Sequence, residues 1–185
     1  MATLIYASNI SLDGFTEDAN GAFDWGVHDE AIHDFYTDML RGVGTQLLGR
    51  RMYETMAVWE TEPAFAAESR AGADFASAWQ DSDKWVYSTT LTEATTARTR
   101  VLRAFDVDEV RSLKASATAD ILVSGPELAG TAMRAGLVDQ ARMIISPITV
   151  GGGKPAFPLD RRFDLELVDE RRFESGAVYV AYRVR

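Results

Sequence analysis

The sequence predicts an α/β fold: a mostly parallel central sheet with flanking helices and a C-terminal antiparallel hairpin. Three observations predict it. Short apolar runs of strand length alternate with helix-length stretches whose apolar residues recur every three or four positions, the pattern of βαβ units. Several of these runs stop at glycine, serine or threonine just before a helix, as strand-to-helix turns do. The chain also closes on two strand runs, 163–173 and 178–184, joined at Ser175-Gly176, which reads as a hairpin on the sheet edge.

Each element follows from its residues. Positions 3–9 form a first strand, followed by a polar stretch with Asp13-Gly14 and Asp18-Ala19-Asn20-Gly21 as turn signals. The segment 10–28 is expected to be a long loop without secondary structure of its own, a length often tied to function. In 29–42, Ile32, Phe35, Tyr36, Met39 and Leu40 make one apolar helix face, and Gly42 and Gly44 end it. This periodicity places His33 on the polar face and Asp34 off the apolar one. Positions 45–48 are a short strand, and a helix begins after Gly49. The alanine-rich segment 64–79 reads as one helix, weakened at Gly72. A strand at 84–87, a minor strand near 100–103 and a helix at 108–117 follow. Next come a strand at 121–123, a helix from Pro126 to about 135 capped by Gly136, and a strand at 140–146. The segment 147–158 is read as a glycine-containing loop.

Composition narrows the function. With 46% hydrophobic and 25% charged residues, the 185-residue chain reads as one ordinary globular domain, 1–185. It has no cysteine, so disulfides and thiolate metal sites are excluded. The start of the chain shows no signal-peptide pattern, and a cytoplasmic location is expected. A net charge of -9 argues against a general nucleic-acid binder, though not against a local basic pocket.

Such a pocket is suggested by the strand ends. Ligands of open α/β sheets bind beyond the carboxyl ends of the strands. One strand here ends in Gly49-Arg50-Arg51-Met52, one in Ser88-Thr89-Thr90, and one in Ser124-Gly125-Pro126-Glu127-Leu128. Glycine permits close backbone approach, hydroxyls donate to phosphate oxygens, arginine supplies countercharge, and helix starts supply N–H groups. Together these suit a nucleotide with more than one phosphate. Standard alternatives fail. No G-x-G-x-x-G follows the first strand, and Gly151-Gly152-Gly153-Lys154 is followed by Pro155 where a P-loop needs Ser or Thr. His28 and His33 are the only histidines, without further ligand spacing, so no metal site is expected.

In their order along the chain, these pieces resemble the dihydrofolate reductase superfamily. They are most similar to the branch of the RibD C-terminal domain, the reductase half of a riboflavin biosynthesis protein. The resemblance is carried by Ser11-Leu12-Asp13-Gly14, Leu48-Gly49-Arg50-Arg51-Met52-Tyr53-Glu54, Ser88-Thr89-Thr90 and Ile121-Leu122-Val123-Ser124-Gly125. Gly136-Leu137-Val138-Asp139 and Pro147–Phe157, which holds the triple glycine, complete it. It implies NADPH as cofactor, with Arg50 or Arg51 and Ser88 or Thr89 at the adenosine 2′-phosphate. Gly49 would allow backbone approach, and Ser124, Gly125 and the following helix start would cradle the pyrophosphate. It implies a homodimer as well. Asn9, Asp13, Asp24 and Trp25 are expected to border the substrate. Asp34 is the candidate for the helix carboxylate that protonates folate in dihydrofolate reductases. Two departures stand out: Ser124 replaces the first glycine of a pair found in many relatives, and the cations that would grip a sugar phosphate are not identifiable. The resulting expectation is an NADPH-dependent reductase of a small heterocyclic or carbonyl substrate. A true dihydrofolate reductase and a non-catalytic NADP(H)-binding or sensor protein stay open beside it.

Overall fold

The computed structural model describes residues 1–27 and 30–185. In chain order the elements are β1 (Leu4–Ser11), β2 (Phe15–Asp18), α1 (Glu30–Arg41), β3 (Val43–Gly49), α2 (Arg50–Thr61), α3 (Pro63–Ala66), α4 (Arg70–Asp81) and β4 (Asp83–Tyr87). Then follow β5 (Thr99–Leu102), α5 (Val107–Ser116), β6 (Asp120–Ser124), α6 (Pro126–Arg134), β7 (Gln140–Ser146), β8 (Gly153–Pro155), β9 (Leu165–Arg172) and β10 (Val178–Val184). The main sheet has the order β5-β4-β3-β6-β1-β7-β10-β9. Pairings from β5 through β7 are parallel, and β10 runs antiparallel to both β7 and β9. The predicted sheet and closing hairpin are therefore both present.

Alternation along the central strands builds two cores. Leu4, Tyr6, Ile121 and Val123 face one side, where Val110 of α5 and Ala129, Ala132 and Met133 of α6 pack on them. Ile5, Ala7 and Leu122 face the other, against Leu40 of α1 and Phe75 and Ala78 of α4. Strands covered on both faces read as continuous apolar runs, which is why they were visible in the sequence.

Three expectations change. The helix expected over 64–79 is broken into α3 and α4. Ser69 caps α4, its hydroxyl accepting from the Gly72 N–H at 2.9 Å. A Cβ at Gly72 would lie 2.8 Å from the Ala66 carbonyl oxygen, so glycine lets the second helix start against the end of the first. Gly44, read as ending α1, lies inside β3. The segment 10–28 is not without structure: β2 pairs antiparallel with β8, with Phe15 opposite Pro155, Glu17 opposite Lys154 and Asp18 opposite Gly153. Among the described residues, no helix is long and apolar enough to cross a membrane.

Candidate active site

The register of three parallel strands brings the predicted strand ends together. Leu48 of β3 pairs with Ser124 of β6, and Gly49 pairs with Tyr87 of β4. The start of α2 thus stands between the ends of β4 and β6. Gly49 caps α2 and Gly125 caps α6, neither with a side-chain hydrogen bond to the helix. Gly125 has φ +91°, a conformation L side chains rarely adopt, and a Cβ there would lie 4.0 Å from Met52 Cβ. Two helix starts therefore converge with N–H groups that no side chain caps, a favourable place for anions.

Beneath them, between α1, α2 and the β1–β6–β3 surface, lies a cavity of about 420 Å³. Arg51, Met52, Ser124 and Pro126 line the end nearest the two helix starts. Asn9, Trp25 and Tyr36 line it further along, with Met39, Met56, Trp59 and Phe75 making an apolar wall. The Tyr36 hydroxyl donates to Asn9 Oδ1 at 2.6 Å, which fixes the amide. Burial pushes the Tyr36 hydroxyl above its ordinary pKa, so it stays a donor. Gln46 lines the floor, its Nε2 donating to Ser82 Oγ at 2.7 Å.

The mouth carries a chain of ion pairs. Arg51 lies 3.5 Å from Glu17, Glu17 lies 3.4 Å from Lys154, and Lys154 lies 3.3 Å from Glu127. These contacts tie α2, the β2–β8 ribbon and α6 together. Arg50 instead pairs with Glu54 at 3.0 Å along the exposed face of α2 and does not line the cavity.

The other predicted residues divide. Ser88 is buried and its hydroxyl accepts from the N–H groups of Thr90 and Leu91, at 3.2 and 2.9 Å, so it shapes its own turn. Thr89 and Thr90 are exposed beside it. Leu128 packs on the core of the α5–α6 side. Asp13 is not part of the cavity lining. Its carboxylate accepts from the N–H groups of Val150 and Gly151, at 3.1 and 2.7 Å, and so holds the glycine loop. Asp24 is exposed and also outside the lining.

Asp34 needs correction as a catalytic candidate. It is exposed on α1 and absent from the cavity lining, because the helix turns that position to solvent. His33, expected on the polar face, lines the cavity instead and packs on Trp59 and Phe75. The signal for His33 was present: it precedes Tyr36 and Leu40 by three and seven positions and shares their side of the helix. Glu17 and Lys154 were missed because their meeting depends on the β2–β8 pairing. Of the two histidines weighed as metal ligands, His28 lies outside the described residues.

A family model for the RibD C-terminal domain matches residues 2–179. The chain belongs to the RibD C-terminal domain family. The uncharacterized protein YyaP of Bacillus subtilis (strain 168) is 31% identical over 175 residues, covering 94% of this chain and 90% of that one. Among solved structures, a putative riboflavin biosynthesis protein from Shewanella sp. PV-4 superposes with TM-score 0.76 at 18% identity, covering 100% of this chain and 99% of that one. Dihydrofolate reductase from Enterococcus faecalis, complexed with NADP(H) and RAB-propyl, superposes with TM-score 0.65 at 13% identity, covering 99% and 96%. The fold is thus dihydrofolate reductase-like. Within this RibD C-terminal domain, the only lysine or arginine lining the cavity among the described residues is Arg51, and Glu17 already faces it.

Proposed function

We propose that this protein is an NADPH-dependent reductase that passes hydride to a small heterocyclic or carbonyl substrate. One observation carries the reading: two helix starts without side-chain caps, at adjacent strand ends, open onto a largely apolar cavity. The residues present suit such a cofactor. Ser124, Gly125 and the start of α6, with Pro126 and Glu127, would hold the pyrophosphate. Arg51 and Arg50, with Ser88 and Thr89 at the neighbouring strand end, would hold the 2′-phosphate. Asn9 and Trp25 would border the reacting ring. When bound, the nicotinamide supplies the hydride; the protein supplies position and electrostatics. The NADP(H) held by the structurally similar Enterococcus faecalis enzyme supports this reading. The exposed position of Asp34 favours a substrate other than dihydrofolate.

The test is a titration of NADPH and NADH followed by nicotinamide fluorescence, on wild type and on Arg50→Ala with Arg51→Ala. NADPH should be preferred, and the preference should vanish in the double variant. Equal affinities, unchanged by the substitutions, would sink the phosphate assignment. Brisk turnover of dihydrofolate would restore the dihydrofolate reductase reading. Homodimerisation, proposed from the family resemblance, is checked by sedimentation equilibrium.

A further inference from the structure

The parallel register sets three strand ends in one row. Gly49 of β3 lies beside Tyr87 of β4, and Tyr87 lies beside Leu102 of β5. The next residues, Arg50, Ser88 and Arg103, therefore stand side by side just past the sheet. Neighbouring strands are about 4.8 Å apart, so the two arginines flank Ser88 with their backbones about 10 Å apart. Two long guanidinium side chains at that spacing can close on one anionic group between them.

Arg103 is exposed, and its Nη1 donates to the carbonyl oxygens of Ser88 at 3.0 Å and Leu91 at 2.7 Å. Carbonyls are neutral, so these bonds aim the guanidinium at the turn without cancelling its charge. The turn is also held by other bonds. Ser88 Oγ accepts from the N–H groups of Thr90 and Leu91. Further on, the Tyr53 hydroxyl of α2 accepts from the N–H groups of Thr95 and Thr96 at 2.8 and 3.1 Å, and Glu60 Oε1 accepts from the Ala97 N–H at 2.6 Å. What Arg103 adds to a turn already bolted to α2 is a fixed positive charge beside the exposed Thr89 and Thr90. Arg50 shares its own charge with Glu54 at 3.0 Å. A phosphate monoester carries about −1.5 to −2 at neutral pH, more than such a partly matched arginine offsets.

We propose that Arg103 is a specificity-determining residue: with Arg50, and with the Ser88–Thr90 turn between them, it binds the 2′-phosphate that distinguishes NADPH from NADH. The phosphate site thus extends to the carboxyl end of β5, where Leu102-Arg103-Ala104 carries no glycine or hydroxyl motif. This rests on reading the protein as an NADPH-dependent reductase.

Two probes test it by calorimetry, adenosine 2′,5′-bisphosphate and adenosine 5′-monophosphate, which differ in the 2′-phosphate alone. Wild type should prefer the bisphosphate. Arg103→Ala should weaken bisphosphate binding about tenfold and leave monophosphate binding where it was, and Arg103→Lys should recover part of the loss. The ³¹P signal of the bound 2′-phosphate gives a second readout. Two guanidiniums favour the dianion, so in wild type its titration should fall below the ordinary value of about 6 and return toward it in Arg103→Ala. An equal loss for both probes would make Arg103 a structural support and overturn the proposal. A 2′-phosphate that titrates at its ordinary value in wild type would overturn it as well, whether or not a variant folds. A wild-type preference that Arg103→Ala leaves intact defeats this inference alone. A wild type without preference defeats the NADPH reading, and this inference with it.

Discussion

Gly153 presses so closely on Glu17 that a Cβ at 153 would overlap the Glu17 carbonyl and the Asp18 backbone. Gly153 also has φ +137°, where L side chains are strained. This contact fixes the β2–β8 ribbon, and the ribbon carries Glu17 to the cavity lining with Lys154 paired beside it. Gly153→Ala should therefore force the ribbon apart. A loss of about 2–3 kcal/mol in stability is expected, measured by urea denaturation, together with weaker NADPH binding. An unchanged midpoint would show that the ribbon can shift without cost.

Glu17 holds both cations that could otherwise meet a phosphate, Arg51 and Lys154. Both pairs are partly open to solvent, where such contacts contribute about 0–1 kcal/mol. Glu17→Gln should free the two cations and tighten NADPH binding by about threefold at low salt, with the gain shrinking as salt is added. Fluorescence titration at two ionic strengths measures this. Weaker binding would mean that Glu17 serves mainly to order the ribbon.

Burial raises the pKa of the Tyr6 and Tyr36 hydroxyls above the ordinary 10.0. A folded value above the unfolded one means that the stability each contributes is fully present below 10 and is lost as pH rises through the folded value. Stability should thus fall on the alkaline side. Tyr36→Phe should flatten part of that fall and cost about 1 kcal/mol at neutral pH through the lost bond to Asn9. Urea midpoints across an alkaline pH series test both halves.

The Asp13 carboxyl is held below the usual carboxylate range by the Ser11 hydroxyl and by the N–H groups of Gly151 and Val150. Its contribution is present above that range and is lost as pH falls through the lowered value. Asp13→Ala should lower the hydrogen-exchange protection factors of Val150 and Gly151 at neutral pH, and acid should lower the same protection factors in wild type, each taken relative to the intrinsic exchange rate at that pH. Exchange that does not change would remove Asp13 as the anchor of this loop.

Most of the sheet was legible because its strands are buried on both faces. Leu4–Ala7, Leu47-Leu48 and Ile121–Val123 appear as bare apolar runs, and β7 and β10 fall at their predicted positions. The strand-end glycines were legible as well, since a turn into a helix restricts residue choice locally. The α3–α4 break was not. It turns on the closeness of Gly72 to Ala66, a packing contact that alanine-rich periodicity does not reveal. β2 was hidden because its partner β8 lies far along the chain.

The same division runs through the site. By itself the sequence determined the α/β class and the places where three strands end before a turn, because each depends on local composition and period; of the four residues expected beside a substrate, Asn9 and Trp25 line the cavity and Asp13 and Asp24 do not. The helical period already put Asp34 off the apolar face, but only the tertiary structure showed that His33 lines the cavity. Only it showed that Asp13 ties a loop, that Ser88 closes its own turn, and that Glu17 meets Arg51 and Lys154. Those outcomes depend on helix rotation and on pairings between distant segments, where a side chain's partner is set by neighbours its own stretch of chain does not contain.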